Sequence, residues 1–206
     1  MAENNVNFSD IKEFESICKK RDIDVNVKIY DSVVRLNNIN SLHKQVLSEI
    51  ISMISWYDGP TFAGDKHFAD KVGCSERSIQ NIIKTLKDKD YITVETSSIN
   101  SSKKIRFIEL NFSIGKTYGR LPDAISKDVS ITPLAKIIYA MIDSFSINKS
   151  YFNKSNEFFA SILDVSIIGV KKALQELKEA KLIQVILNGV DELNNKTYSR
   201  LIKLNK

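Results

Sequence analysis

The chain has 206 residues and a formal net charge of +5. Since 43% of the residues are hydrophobic, the chain is long enough for two modest domains with separate cores. Its longest apolar runs are too short to cross a bilayer, and we therefore expect no membrane partner. The two cysteines, Cys18 and Cys74, favour a reducing compartment over a disulfide scaffold, and with no recognisable signal peptide we expect a cytoplasmic protein.

Residues 1–41 precede a repeated pattern. Ser9 or Asp10 is placed to cap a helix with one apolar face. The alternation over 25–29 and the apolar group over 33–36 predict two short strands or a hairpin. We expect an N-terminal helix/hairpin extension that either packs on the following domain or serves as a docking element, with a homodimer through it as one expected partner. The apolar face of the predicted helix carries Ile11, Phe14, Ile17 and Cys18.

A helix–turn–helix–strand pattern then occurs twice, and the two copies align without a gap at a spacing of 91 residues. The matched positions run from Phe68 to Val94 in the first copy and from Phe159 to Val185 in the second. Apolar residues recur at matching places across two helices and a turn. The sequence therefore predicts two copies of one module, over residues 42–115 and 116–206.

The first module begins with a helix over 42–56, for which Ser41 is the expected N-cap. A short helix over 65–72 follows, and Ser75 is placed to cap a third helix. Strands over 91–96 and 104–110 complete the module as a hairpin. Three helices closed by a hairpin form a winged helix, in which the hairpin is called the wing.

The second module repeats this order. Thr132 is the expected cap of its first helix, Ser155 of the second and Ser166 of the third. Strands over 182–187 and 198–204 form its hairpin, and the linker over 112–130 contains apolar residues that predict packing. We therefore expect an α+β fold, mainly helical, with two tandem winged helix-turn-helix domains.

The third helix of the first module has one apolar face, because Ile79, Ile82 and Ile83 recur at helical spacing. Its other face presents residue types that suit the edges of bases, since Arg binds guanine and Gln or Asn binds adenine. Serines at the N-terminus can approach phosphate. An ordinary solvated face is the alternative. The residues expected to contact DNA here are Ser75, Arg77, Ser78, Gln80, Asn81 and Lys84.

The equivalent helix of the second module carries two lysines, which favour contacts to phosphates over sequence reading. Ile168, beside Ile167, is suited to touching thymine methyls, to packing on the opening turn, or to binding a protein. The first module is therefore the stronger candidate for reading sequence. The residues expected to contact DNA here are Ser166, Ile168, Lys171, Lys172 and Gln175.

The hairpins supply the remaining candidates, because wings usually meet phosphates or the minor groove. The alternative is that a charged hairpin edge discourages sheet-to-sheet aggregation. The candidates are Lys103, Lys104 and Arg106 in the first hairpin and Asn195, Lys196 and Arg200 in the second. No Gly-rich phosphate loop occurs, and the two histidines show no metal-ligand spacing with the cysteines. We expect no enzyme activity, catalytic residue, metal or cofactor.

Residues 69–92, ADKVGCSERSIQNIIKTLKDKDYI, resemble the winged-helix signature common in phage and plasmid replication proteins. Residues 134–142, LAKIIYAMI, and 151–160 are similar to the same group. The resemblance covers roughly residues 42–206. It implies an origin-binding replication initiator with one domain in each of two successive major grooves of double-stranded DNA, and host replication proteins as partners. Ile168 departs from the polar residue expected there.

Two alternatives to an initiator stay open at the level of sequence, because a fold does not fix a function. Transcription regulators that bind an operator use the same module. A protein-interaction scaffold built on winged helices that no longer bind DNA is the other alternative.

Overall fold

The computed structural model describes residues 26–57, 59–98, 104–146, 151–191 and 196–205. They form an α+β fold of helices and three small antiparallel sheets. In chain order the elements are β1 (Val27–Tyr30), α1 (Asp31–Val34), α2 (Ser41–Tyr57), α3 (Asp65–Val72), α4 (Glu76–Asp88), β2 (Ile92–Ser98), β3 (Lys104–Leu110), β4 (Tyr118–Leu121), α5 (Asp123–Lys127), α6 (Pro133–Ser146), α7 (Asn156–Leu163), α8 (Ile167–Glu179), β5 (Ile183–Asp191) and β6 (Lys196–Leu204).

The helices of the first copy begin and end at the expected kinds of residue. The side chain of Asn40 accepts a hydrogen bond from the backbone N–H of His43 at 3.1 Å, so Asn40 caps α2, one residue before the predicted Ser41. Helix α3 ends at Gly73, whose φ of 73° is left-handed. Ser75 Oγ accepts a hydrogen bond from the N–H of Ser78, which confirms the predicted cap of α4.

The second copy uses the same local devices with two differences. Ser166 Oγ accepts a hydrogen bond from the N–H of Gly169, and Thr132 Oγ1 accepts one from the N–H of Ala135. Ser155 stands at the N-cap of α7, but its side chain makes no cap hydrogen bond there. The turn after α7 is made by Asp164, which adopts a φ of 55° at the place of the first copy's glycine.

Each copy closes with a two-stranded antiparallel hairpin, β2–β3 in the first and β5–β6 in the second. Both predicted hairpins are confirmed, and β5 and β6 extend further than predicted. In each copy one further residue forms an isolated antiparallel bridge to the second strand of the hairpin. Thr61 pairs with Ile108, and Phe152 pairs with Ile202. These bridges anchor the hairpin to the segment that precedes the second helix of its copy.

The segment before α2 differs from the prediction. The residues predicted as a second strand form the short helix α1, in which Val33 and Val34 are buried. The partner of β1 is β4 in the linker, so the described part of the opening segment contains no hairpin. The predicted packing of the linker is confirmed by Leu121, whose side chain is fully buried. The helix predicted near residues 9–18 lies outside the described residues.

Two hydrophobic cores organise the chain. One surrounds α2, α3 and α4 and includes Ile50, Phe68 and Leu86. The other surrounds α6, α7 and α8 and includes Phe159 and Leu177. Helices α4 and α8 are thus each buried along one face only, because their apolar residues recur at helical spacing. Within the described ranges, no helix is both long enough and apolar enough to span a bilayer.

Candidate nucleic-acid interface

The outer face of α4 is open to solvent along its length. Arg77, Gln80, Asn81 and Lys84 are all exposed, while the opposite face of the helix packs in the first core. The side chains of Arg77, Gln80 and Lys84 make no hydrogen bond or ion pair with any described residue. Their hydrogen-bonding groups are therefore available to a ligand.

The N-terminus of α4 is less free than the sequence indicates. Ser75 Oγ accepts from the N–H of Ser78 and also lies 2.9 Å from Ser78 Oγ. Glu76, the first residue of the helix, adds an exposed carboxylate beside these groups. The two serine oxygens thus have a structural task in capping the helix, and the carboxylate opposes an approaching phosphate.

The outer face of α8 combines charge with apolar surface. Lys171 and Lys172 are exposed, and Gln175 Nε2 donates to Glu179 Oε1 at 2.8 Å. The sequence left three roles open for Ile168: contact with a thymine methyl, packing on the opening turn, or binding a protein. The side chain is 67% exposed, so it is not packed on the turn. The side chain remains available to a thymine methyl or to a protein surface.

Arg106, predicted to contact DNA, is bound within the protein. Its Nη1 donates to Asp65 Oδ1 at 2.6 Å, and its Nη2 donates to the carbonyl of Ala63 at 3.0 Å. Both side chains of this ion pair are mostly buried. Since Asp65 is the first residue of α3, Arg106 fastens the first hairpin to the start of that helix.

Arg200 repeats this arrangement in the second copy. Its Nη1 donates to Asn156 Oδ1 at 2.6 Å, and its Nη2 donates to the carbonyl of Lys154 at 2.7 Å. Burial lowers the pKa of Arg200, an effect that nearby Glu157 opposes. Asn156 is the first residue of α7, as Asp65 is of α3. Both arginines therefore hold a hairpin in place, a role that sequence reasoning missed.

Of the other hairpin candidates, the structure describes Lys104 and Lys196, each at the start of a strand. Lys104 is the first residue of β3 and pairs with Ser98, and Lys196 is the first residue of β6 and pairs with Asp191. Lys103 and Asn195 lie outside the described residues. With Arg106 and Arg200 engaged, the structure leaves the outer faces of α4 and α8 as the main candidate surface.

A buried polar cluster links the two copies next to this surface. Lys136 Nζ donates to the carbonyl of Ser126 at 2.6 Å and to that of Val72 at 3.3 Å. Ser126 Oγ donates to the carbonyl of Lys71, and Gln45 Nε2 donates to Ser126 O at 3.1 Å. Burial lowers the pKa of Lys136. The cluster holds the end of α3, just before the turn into α4.

Comparison of the chain with protein-family models, with curated proteins and with solved structures found no match.

Proposed function

We propose that this protein binds double-stranded DNA through the outer faces of α4 and α8, as two winged helices in tandem, and that it initiates replication at the origin of a phage, plasmid or related element. The observation that supports DNA binding is the exposure of the polar outer face of α4. One face of that helix is buried in a core, and the other presents Arg77, Gln80 and Lys84, whose side chains make no hydrogen bond with any residue that the structure describes.

A helix of 13 residues, the length of α4, is about 20 Å long, and the diameter of an α-helix, about 10–12 Å, matches the width of the major groove, about 12 Å. In this proposal Arg77 and Gln80 contact the edges of bases. Arg can donate two hydrogen bonds to guanine, and Gln can exchange two with adenine. Lys84, further along the helix, contacts a phosphate.

The second copy has a different part in the proposal. Lys171 and Lys172 neutralise phosphates, which strengthens binding to any sequence and makes it sensitive to salt. Ile168 offers only apolar contact, so the second copy discriminates bases less than the first. With a net charge of only +5, the chain depends on these placed groups more than on its overall field.

The replication role is supported by the resemblance of residues 69–92 to the winged-helix signature of phage and plasmid replication proteins. An initiator without an ATP-binding loop needs partner enzymes, so host replication proteins are part of the proposal. Mapping the bound sites on the element that encodes this chain tests the role. Binding within a replication origin supports an initiator, whereas binding at promoters supports a transcriptional regulator.

DNA binding itself is tested by paired substitutions on a duplex selected from a random library. Arg77→Ala is expected to weaken binding to the selected duplex by about 1–3 kcal/mol and to relax discrimination at one base pair. Lys171→Ala is expected to weaken binding to selected and unselected duplexes alike and to lower the salt slope by about one. Arg35→Ala removes an equal charge from the residue that follows α1, where the arginine pairs with Asp31, and serves as the control.

The outcomes separate three functions. Loss of affinity for Arg77→Ala and Lys171→Ala with an unchanged Arg35→Ala variant supports the proposal. If neither substitution on the outer faces changes duplex affinity, the protein-interaction scaffold becomes the better explanation. Equal losses for all three variants indicate binding through net charge alone, with no defined interface.

A further inference from the structure

The repeat extends beyond the helices that reveal it in the sequence. The spacing of 91 residues that relates Phe68 to Phe159 also relates Val27–Tyr30 to Tyr118–Leu121, which are the strands β1 and β4. Each copy therefore begins with a short strand, followed by a short helix and the three longer helices. The two strands share almost no sequence similarity, and for this reason the prediction from the sequence assigned β1 to a separate N-terminal extension.

These equivalent strands pair with each other, and their register is self-complementary. Val27 lies opposite Leu121, and Tyr30 lies opposite Tyr118. Moving each residue to its equivalent, 91 positions away, exchanges these two pairs and returns the same pairing. The two-fold axis between the strands thus relates equivalent residues. This is the geometry of an isologous contact between identical subunits, built here within one chain.

Contacts beyond the sheet follow the same axis. Helices α2 and α6, which are equivalent, pack against each other. Gln45 on α2 and Lys136 on α6 occupy equivalent positions, and both donate to the carbonyl of Ser126. Val27 of the first copy packs in the second core, while its equivalent Tyr118 packs against the first. The exchange is reciprocal, as an isologous contact requires.

We infer that the two copies recognise two half-sites of different sequence that lie in inverted orientation at a fixed separation, rather than in the same direction. The inference rests on the proposed DNA binding and specifies its target. A two-fold axis through the protein relates α4 to α8, so a duplex that receives both helices must present its half-sites about a two-fold axis of its own.

The half-sites are unlike because the two outer faces differ at equivalent positions. Arg77 corresponds to Ile168, and Gln80 corresponds to Lys171. The separation is fixed because the contact between the copies is buried and hydrogen-bonded. Lys136 of the second copy is 2% exposed, and its Nζ donates to the carbonyl of Val72 in the first copy at 3.3 Å. Neither copy can turn without breaking these contacts.

A face-swap variant provides the sharpest test. It places the α4 residues on α8 at four exposed positions, so its fold should be retained. Selection from a random duplex library is then run with the wild-type protein and with the variant. We expect two unlike inverted half-sites for the wild-type protein and a perfect palindrome for the variant. The substitutions are Ile168→Arg, Lys171→Gln, Lys172→Asn and Gln175→Lys.

Each outcome decides something. If the duplexes selected by the face-swap variant carry two half-sites in the same direction, or a single half-site, the inference is overturned while DNA binding remains supported. No enrichment of any duplex by the wild-type protein overturns the proposed function. Hydroxyl-radical footprinting of the wild-type protein on its own selected site is a second measurement that needs no variant. Protection symmetric about one point supports the inference, and protection that repeats by translation contradicts it.

Discussion

Replacing Arg106 distinguishes a structural role from a role in binding DNA. The Arg106→Ala substitution removes a 2.6 Å hydrogen bond to the Asp65 carboxylate and a 3.0 Å hydrogen bond to the carbonyl of Ala63. Both bonds come from the charged guanidinium, and a hydrogen bond that involves a charged group contributes roughly 1.5–3 kcal/mol. The side chains of Arg106 and Asp65 are 24% and 18% exposed, so water screens part of the charge interaction.

We therefore expect Arg106→Ala to lower the free energy of unfolding by about 2–3 kcal/mol. For a chain of 206 residues this corresponds to a fall in melting temperature of roughly 5–10 °C. Urea unfolding followed by circular dichroism measures the loss. A double-mutant cycle with Asp65→Ala is expected to give a coupling energy of about 1–2 kcal/mol.

Arg77→Ala is the matched control, because it removes the same side chain from an exposed position. Its free energy of unfolding should stay within about 0.5 kcal/mol of the wild-type value, while its duplex affinity falls. The reverse pattern would refute the reasoning. If Arg106→Ala keeps wild-type stability and loses affinity, the arginine contacts DNA and its pairing with Asp65 is unimportant.

Three smaller predictions follow from local contacts. Ser75→Ala removes the cap of α4 and should cost about 1 kcal/mol of stability in urea unfolding. Gly119→Ala forces a Cβ against the carbonyl of Ala140 and should cost at least about 2 kcal/mol, whereas Gly115→Ala, with open space around its Cβ, should change stability little. Burial lowers the pKa of His43 below its ordinary 6.5, so protonation favours the unfolded chain; stability should fall as pH drops below 6.5, and His43→Gln should lessen that fall between pH 7.5 and 5.5.

The helices and hairpins of both copies could be predicted because their signals are local. The apolar spacing around Ile79 and the serine caps Ser75 and Ser166 act within one or two turns of chain. Such signals need no knowledge of distant residues. Val33 and Val34 show the limit of this reasoning. Their β-branched side chains favour a strand locally, but burial against the neighbouring elements stabilises a helix instead.

Part of the candidate site could be predicted in the same way. An apolar stripe on a helix leaves the opposite face to solvent, so the exposure of Arg77 and Lys171 follows from periodicity. The contacts of the hairpin arginines within the protein could not be predicted, because a cation on a strand has no local sign of its partner. Arg106 meets a carboxylate 41 residues away, and Arg200 meets an amide 44 residues away.

The amino-acid order alone establishes the duplication, the amphipathic helices and the unequal outer faces of the two copies. The relation between the copies depends on contacts between residues far apart in the chain. Val27 and Leu121 pair, and Lys136 reaches the carbonyl of Val72, only once both copies have folded. Lys136 interrupts the apolar run from Ala135 to Ile142, but the run does not indicate which residue the lysine contacts. Pairing and burial at this distance depend on three-dimensional packing, which no local pattern encodes.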